Sequence, residues 1–92
     1  MFEVKMIGEA TGFRIGLEHA GLFLIKADKG LIACSYLSIE TAERLGDALC
    51  LVSGVSSFEE VLEVEIREVS SKARKYGVRE GMLGREALKL LS

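Results

Sequence analysis

The chain is 92 residues long, 49% of its residues are hydrophobic, and its formal net charge at neutral pH is −2. Its length fits one domain over residues 1–92, and no apolar run reaches the roughly 18 to 20 residues of a membrane-spanning helix. Charges of both signs are interleaved, which argues against nucleic acid as the principal partner. Because so small a domain buries only about 60–65% of its unfolded surface, we expect apolar surface to be covered by another subunit.

The first third of the chain is predicted to form strands. Charged and apolar residues alternate over Phe2–Ile7, which predicts a strand with one face on the core, and a second short strand is predicted at 13–17. Two apolar runs, 22–27 and 31–36, are joined by a short polar loop that ends in Gly30, a pattern typical of a β-hairpin. Both runs are apolar on both faces, so the hairpin is expected at the centre of the sheet or against another subunit.

Helix signals begin after the hairpin. Ser38 is a predicted N-cap and Gly46 a predicted helix end, and the apolar run 48–52 then predicts a short buried strand. Another helix starts at one of two possible capping boxes, in which Ser56 is paired with Glu59 or Ser57 with Glu60.

The stretch that follows fits two patterns. Every second residue is apolar from Leu62 to Ile66, as in a strand, whereas a longer apolar stripe with steps of four and three residues runs on to Tyr76. The longer pattern favours a helix, broken near Val64 and ended by Gly77.

A last helix is predicted from Met82 or Gly84 to Leu91. Strands therefore come first in the chain, followed by a helix, a strand and further helices. This order predicts an α+β fold with a mainly antiparallel sheet, a central β-hairpin, helices packed on one face, and a helical C-terminal half.

Catalytic and metal-binding residues are few. His19 is the single histidine and the two cysteines are widely spaced, so no metal site and no cofactor is predicted. Glu18 and His19 remain open as two ligands of a site completed by another subunit, or as a solvated pair. Cys34, near the end of a hairpin strand, is a weak candidate nucleophile facing a cleft, and otherwise a buried core residue. Cys50 is expected in the core.

The C-terminal string Gly-Met-Leu-Gly-Arg-Glu-Ala-Leu, residues 81–88, suggests a binding site. Glycines ahead of a helix leave backbone N–H groups open to an anion, and an arginine there can grip a carboxylate or phosphate. Gly81, Gly84, Arg85 and Glu86 are thus candidate residues for a small anionic ligand. In the alternative, the glycines shape a tight turn and the two charged side chains pair with neighbours.

Four segments together resemble the DUF1805 or YunC-like family of small bacterial and archaeal proteins: 22–36, 52–62, 76–78 and 81–88. The resemblance spans residues 13–91 and is carried mainly by the last segment. It implies an α+β fold and a cytoplasmic prokaryotic setting. It transfers no catalytic residue, because the family has no assigned function.

The remaining compositional signals concern setting and function. The N-terminus lacks the long apolar region of a signal peptide, so we expect a cytoplasmic protein. Asn and Gln are both missing and charged residues are abundant, a tendency of thermophile proteins. The sequence favours a homo-oligomeric or partner-binding domain without catalytic machinery. The alternative is a small-molecule or anion site, enzymatic or not, around Cys34 and Gly84-Arg85.

Overall fold

The computed structural model describes residues 2–92, which form one six-stranded sheet with the strands in chain order. Neighbouring strands pair antiparallel, except that the fourth and fifth strands pair in parallel. The strands are β1 (Phe2–Ile7), β2 (Ala10–Gly16), β3 (Gly21–Lys26), β4 (Leu31–Cys34), β5 (Leu49–Val52) and β6 (Glu68–Val69).

Four short helices complete the fold, and none within residues 2–92 is long and apolar enough to cross a membrane. The first helix connects the two parallel strands, which cannot be joined by a tight turn. The helices are α1 (Ile39–Leu45), α2 (Phe58–Glu63), α3 (Ser71–Lys75) and α4 (Gly84–Leu91).

The two faces of the sheet are covered by different helices. Side chains alternate between faces along each strand, and the register places Ile25, Ile32 and Cys50 on one face. That face carries the main core, which α2, α3 and α4 cover. The opposite face contains Ala33 and Leu51, and α1 packs on it through Ala42. The sheet is therefore enclosed on one face and only partly covered on the other.

Most of the predicted elements are confirmed. The first strand has the predicted bounds, but the expectation that its apolar face lies on the core is wrong, because Phe2, Val4 and Met6 are exposed. The hairpin of β3 and β4 lies at the centre of the sheet, as predicted. The Ser38 hydroxyl caps α1 by accepting a hydrogen bond from the Thr41 N–H at 3.2 Å, and Gly46 ends this helix at φ 81°. Ser57 caps α2 by accepting from the Glu60 N–H at 3.1 Å.

The helix predicted to continue beyond a break near Val64 is wrong for residues 65–70, whereas the break itself, helix over Ser71–Lys75 and its end before Gly77 are confirmed. Val64 is extended (φ −87°, ψ 164°), and the chain then pairs with β5 as the short strand β6. The Arg67 N–H donates to the Leu51 carbonyl at 2.8 Å. If this segment had continued as a helix, the backbone groups at the edge of β5 would have lacked these hydrogen-bond partners. Ser70 then caps α3.

Two further expectations need correction. The C-terminal half is not helical throughout, because β5 and β6 lie in it and helix resumes at length only in α4. Nor do all helices lie on one face. The face that carries Ile32 is already filled by α2 to α4, so the helix that crosses over between β4 and β5 occupies the opposite face.

Candidate functional site

An apolar surface covers one face of β1, β2 and β3. We call it the open face, since α1 lies over β4 and β5 instead. Cross-strand pairs Val4–Phe13 and Phe13–Leu24 run continuously across the three strands. Phe2 and Val4 are 62% and 53% exposed, fractions usual for polar strand residues. The open face consists of Phe2, Val4, Met6, Phe13, Ile15, Leu22 and Leu24.

In an ordinary surface strand the apolar side chains face the core and the charged ones face solvent, and in β1 this orientation is reversed. Glu3 and Lys5 alternate with the apolar residues and lie on the side of the helices, where Lys5 forms an ion pair with Glu59 of α2 at 3.1 Å. The apolar side chains therefore point away from the main core of the domain. Contiguous exposed apolar side chains of this kind mark a surface that another molecule can cover.

A cavity of about 420 Å³ lies where the parallel strands β4 and β5 end, next to the start of β3. Outside the carboxyl ends of parallel strands, the chain leaves the sheet in different directions and opens a crevice that commonly holds ligands. We call it the carboxyl-end cavity. It is lined by Ala20, Gly21, Cys34, Ser35, Tyr36, Ser53, Gly54 and Val55.

Cys34 is the last residue of β4, as expected for a side chain that borders a crevice. It is only 7% exposed, yet it lines the carboxyl-end cavity, so it is both largely buried and next to a cavity. Beside it, the Ser35 hydroxyl donates a hydrogen bond to the Val52 carbonyl at 3.1 Å and ties the two strand ends together.

Cys50 has a different environment. It is fully buried in the middle of β5, its Sγ lies 3.8 Å from the Leu31 carbonyl oxygen, and burial raises the pKa of its thiol to about 12. Both cysteines are free. Cys50 is thus a core residue that stays protonated at neutral pH, and it offers no nucleophile.

Glu18 and His19 lie on the loop between β2 and β3. Their side chains are both 87% exposed, and His19 Nε2 is 3.6 Å from the Glu18 carboxylate. Over residues 2–92, no group of three or more His, Cys, Asp or Glu side chains is placed to hold a metal ion. A contact this exposed is weak, because water screens it.

The predicted anion-binding residues all have structural roles at the start of α4. The Leu83 N–H donates to the Glu86 carboxylate at 2.9 Å, so the helix itself supplies the hydrogen-bond acceptor for this backbone N–H group. Arg85 donates to the Glu63 carboxylate of α2 at 2.8 Å. Gly84 packs against α2, and Gly81 has a φ of 92°, which favours glycine.

The structure does not bring Cys34 and Arg85 into one site. Cys34 borders the carboxyl-end cavity, whereas Arg85 is absent from that lining and is paired with α2. Sequence reasoning missed Tyr36 and Ser53 as cavity residues, because only the parallel register brings the ends of β4 and β5 together. It also missed the open face, although apolar Phe2, Val4 and Met6 at alternate positions were a signal.

Comparison with known proteins identifies a family and a similar solved structure. The family profile described as "Domain of unknown function (DUF1805)" matches residues 33–91. The crystal structure of a protein of unknown function, TA1206 from Thermoplasma acidophilum, is 31% identical and superposes with a TM-score of 0.89. The match covers 100% of this chain and 92% of that one. No curated protein matches the sequence.

Proposed function

Because the chain belongs to the DUF1805 family, whose description assigns no activity, we propose from its structure that it is a non-enzymatic homo-oligomeric module. Copies join through the open face of β1, β2 and β3. The observation that carries the proposal is the reversed pattern of β1, which presents Phe2, Val4 and Met6 on the side away from the domain's own main core.

The size of the open face supports this role. Phe2, Val4, Met6 and Ile15 are 62%, 53%, 63% and 38% exposed and lie side by side, and contiguous apolar patches of this kind mark interaction sites. A standard interface buries about 800 Å² per partner, so the open face would form the apolar centre of such an interface. Two such sheets stack face to face at a separation of about 10 Å.

A second copy of the chain is the partner that this surface fits best. Of the outward positions of β1 to β3, only Thr11 and Lys26 are polar, and both lie at one end of the face. A surface with no alternating charges needs no charged complement, and an apolar face can pair with itself about a two-fold axis. The surrounding fold also remains intact, since the main core lies on the other face.

Light scattering coupled to size-exclusion chromatography tests the proposal. The wild-type protein is expected to elute as an oligomer at micromolar concentration, and Val4→Glu is expected to elute as a folded monomer. Glu3→Lys is the matched control, because this side chain lies on the other side of the same strand. A monomeric wild type, or equal effects of the two substitutions, would refute assembly through the open face.

The same proposal extends to the setting of the protein. We place the protein in the cytoplasm, as the family resemblance implies, and its heat adaptation is supported by the missing Asn and Gln residues and by the charged fraction of 28%. The net charge of −2 supports a partner other than nucleic acid. Thermal unfolding followed by circular dichroism tests heat adaptation, and a midpoint in the mesophile range of about 45–65 °C would contradict it.

A further inference from the structure

We propose that the carboxyl-end cavity binds a small uncharged organic molecule that has an apolar body and at least one hydrogen-bonding group. This inference goes beyond assembly and does not depend on it. The cavity lies at the ends of β4 and β5, on the edge of the sheet where parallel strands leave room for ligands. Its volume of about 420 Å³ falls within the range of small-molecule sites, about 300–1,000 Å³.

The lining determines the charge of the ligand. None of the eight lining residues is an Asp, Glu, Lys, Arg or His, so the lining supplies no carboxylate, ammonium, guanidinium or imidazole group. A charged ligand would therefore find no charged side chain among the lining residues themselves. A phosphate, a carboxylate or a metal cation is therefore disfavoured.

The shape of the lining favours a compact apolar body. Ala20, Gly21 and Gly54 have little or no side chain, so their backbone can be approached closely. The Tyr36 ring and the Val55 side chain supply larger apolar surfaces. A flat ring or a short branched carbon skeleton matches this combination of small and large residues.

Three side chains of the lining can form a hydrogen bond with a ligand, and two of them, Tyr36 and Ser53, lie on its exposed rim. Among the contacts of residues 2–92, the Cys34 thiol and the hydroxyls of Tyr36 and Ser53 make no hydrogen bond to protein atoms. The Ser35 hydroxyl, by contrast, is occupied by the Val52 carbonyl. Cys34 is only 7% exposed and lines the cavity, so it is the most buried of these three residues. A few polar groups in a mostly apolar cavity are what fixes the orientation of a bound small molecule.

Protection of the Cys34 thiol provides the test. In a Cys50→Ala variant, Cys34 is the single thiol. Methyl methanethiosulfonate labels it when the thiolate attacks the sulfenyl sulfur, forming a disulfide and expelling methanesulfinate. The two probes are indole, which is neutral, and indole-3-acetate, which carries the same ring with a carboxylate.

Indole is expected to slow labelling about tenfold when present at ten times its Kd, and indole-3-acetate at the same concentration is expected to have little effect. Ser53→Phe, which fills the cavity from its rim, should abolish protection by indole. Glu18→Phe adds the same ring outside the lining and should preserve it. Amide chemical shifts in the uniformly labelled protein give a second readout, because indole should move the signals of Ser53 and Gly54.

Equal protection by both probes, or no shift at Ser53 and Gly54 with indole, would overturn the proposal. So would protection that survives Ser53→Phe. Repeating the experiment in the Val4→Glu background separates this inference from the assembly proposal. Protection by indole should be the same whether or not that protein forms oligomers.

Discussion

Gly84, in the first turn of α4, lies directly against the carbonyl of Val61 in α2. A Cβ atom built on Gly84 would be 1.9 Å from the Val61 carbonyl oxygen, far inside van der Waals contact. The Gly84 N–H also donates to the Val64 carbonyl at 2.9 Å. Glycine is therefore required here because two backbones cross without room for a side chain.

Gly84→Ala should be strongly destabilising. The added methyl group meets backbone, which cannot turn aside, so the free energy of unfolding should fall by about 3 kcal/mol as in overpacked cores. Urea denaturation of wild type and variant measures this difference.

Gly81→Ala is the matched control. A Cβ there meets nothing within 4 Å, and only the positive φ of 92° opposes it, at a cost of about 1–2 kcal/mol. If Gly84→Ala were no more destabilising than Gly81→Ala, the close crossing of α2 and α4 would be wrong.

Local signals in the sequence were sufficient for part of the fold. Ser38 and Gly46 mark the ends of α1 because capping depends on a few neighbouring residues. The segment after Val64 was different. Its conformation is set by partners remote in sequence, such as the Leu51 carbonyl that accepts from Arg67, and no local pattern reports these.

The candidate sites, too, could be predicted from the sequence only in part. Cys34 could be placed at a strand end from sequence, and it does border a cavity. The cavity itself depends on the parallel pairing of β4 with β5, which apolar runs do not reveal. Likewise, the sequence predicts apolar surface in excess but assigns it to the hairpin and to the run 48–52. The run 48–52 is buried within the domain and the excess lies on the outer face of β1, because its place depends on where the helices pack.

Ser70→Ala should be more destabilising than removal of an exposed helix cap. Ser70 is fully buried, and its hydroxyl donates to the Asp47 carbonyl at 2.8 Å and accepts from the Leu49 N–H at 2.9 Å. Removing it leaves buried backbone groups without partners, at a cost of about 2–3 kcal/mol. Chemical denaturation measures the change.

The comparison for this prediction is Ser38→Ala, which removes the cap of α1 at an exposed position and should cost about 1 kcal/mol. Equal losses in the two variants would mean that burial adds nothing to the Ser70 interactions.

Arg85→Ala distinguishes a structural role of this residue from a role in anion binding. Arg85 and Glu63 form an ion pair whose side chains are 53% and 67% exposed, so its loss should cost less than about 1 kcal/mol. Inorganic phosphate, titrated into labelled protein, should produce no saturable shift at Gly84. A saturable shift in wild type that disappears in Arg85→Ala would instead establish an anion site at the start of α4.

Glu43 is expected to make stability fall in acid. Its carboxylate, in α1, accepts hydrogen bonds from the N–H and hydroxyl of Ser71 at the start of α3, and the backbone bond is the main cause that lowers the pKa of Glu43 below its ordinary 4.5. Because the folded state has the lower pKa, this stabilisation is complete above the unfolded pKa and is lost as the pH falls through the folded one. Glu43→Gln should therefore be less stable than wild type at neutral pH, with a difference that shrinks well below pH 4.5. Urea denaturation across this range measures it, with Glu40→Gln in the same helix as control. A deficit independent of pH would show that the Glu43 charge does not strengthen the link between α1 and α3.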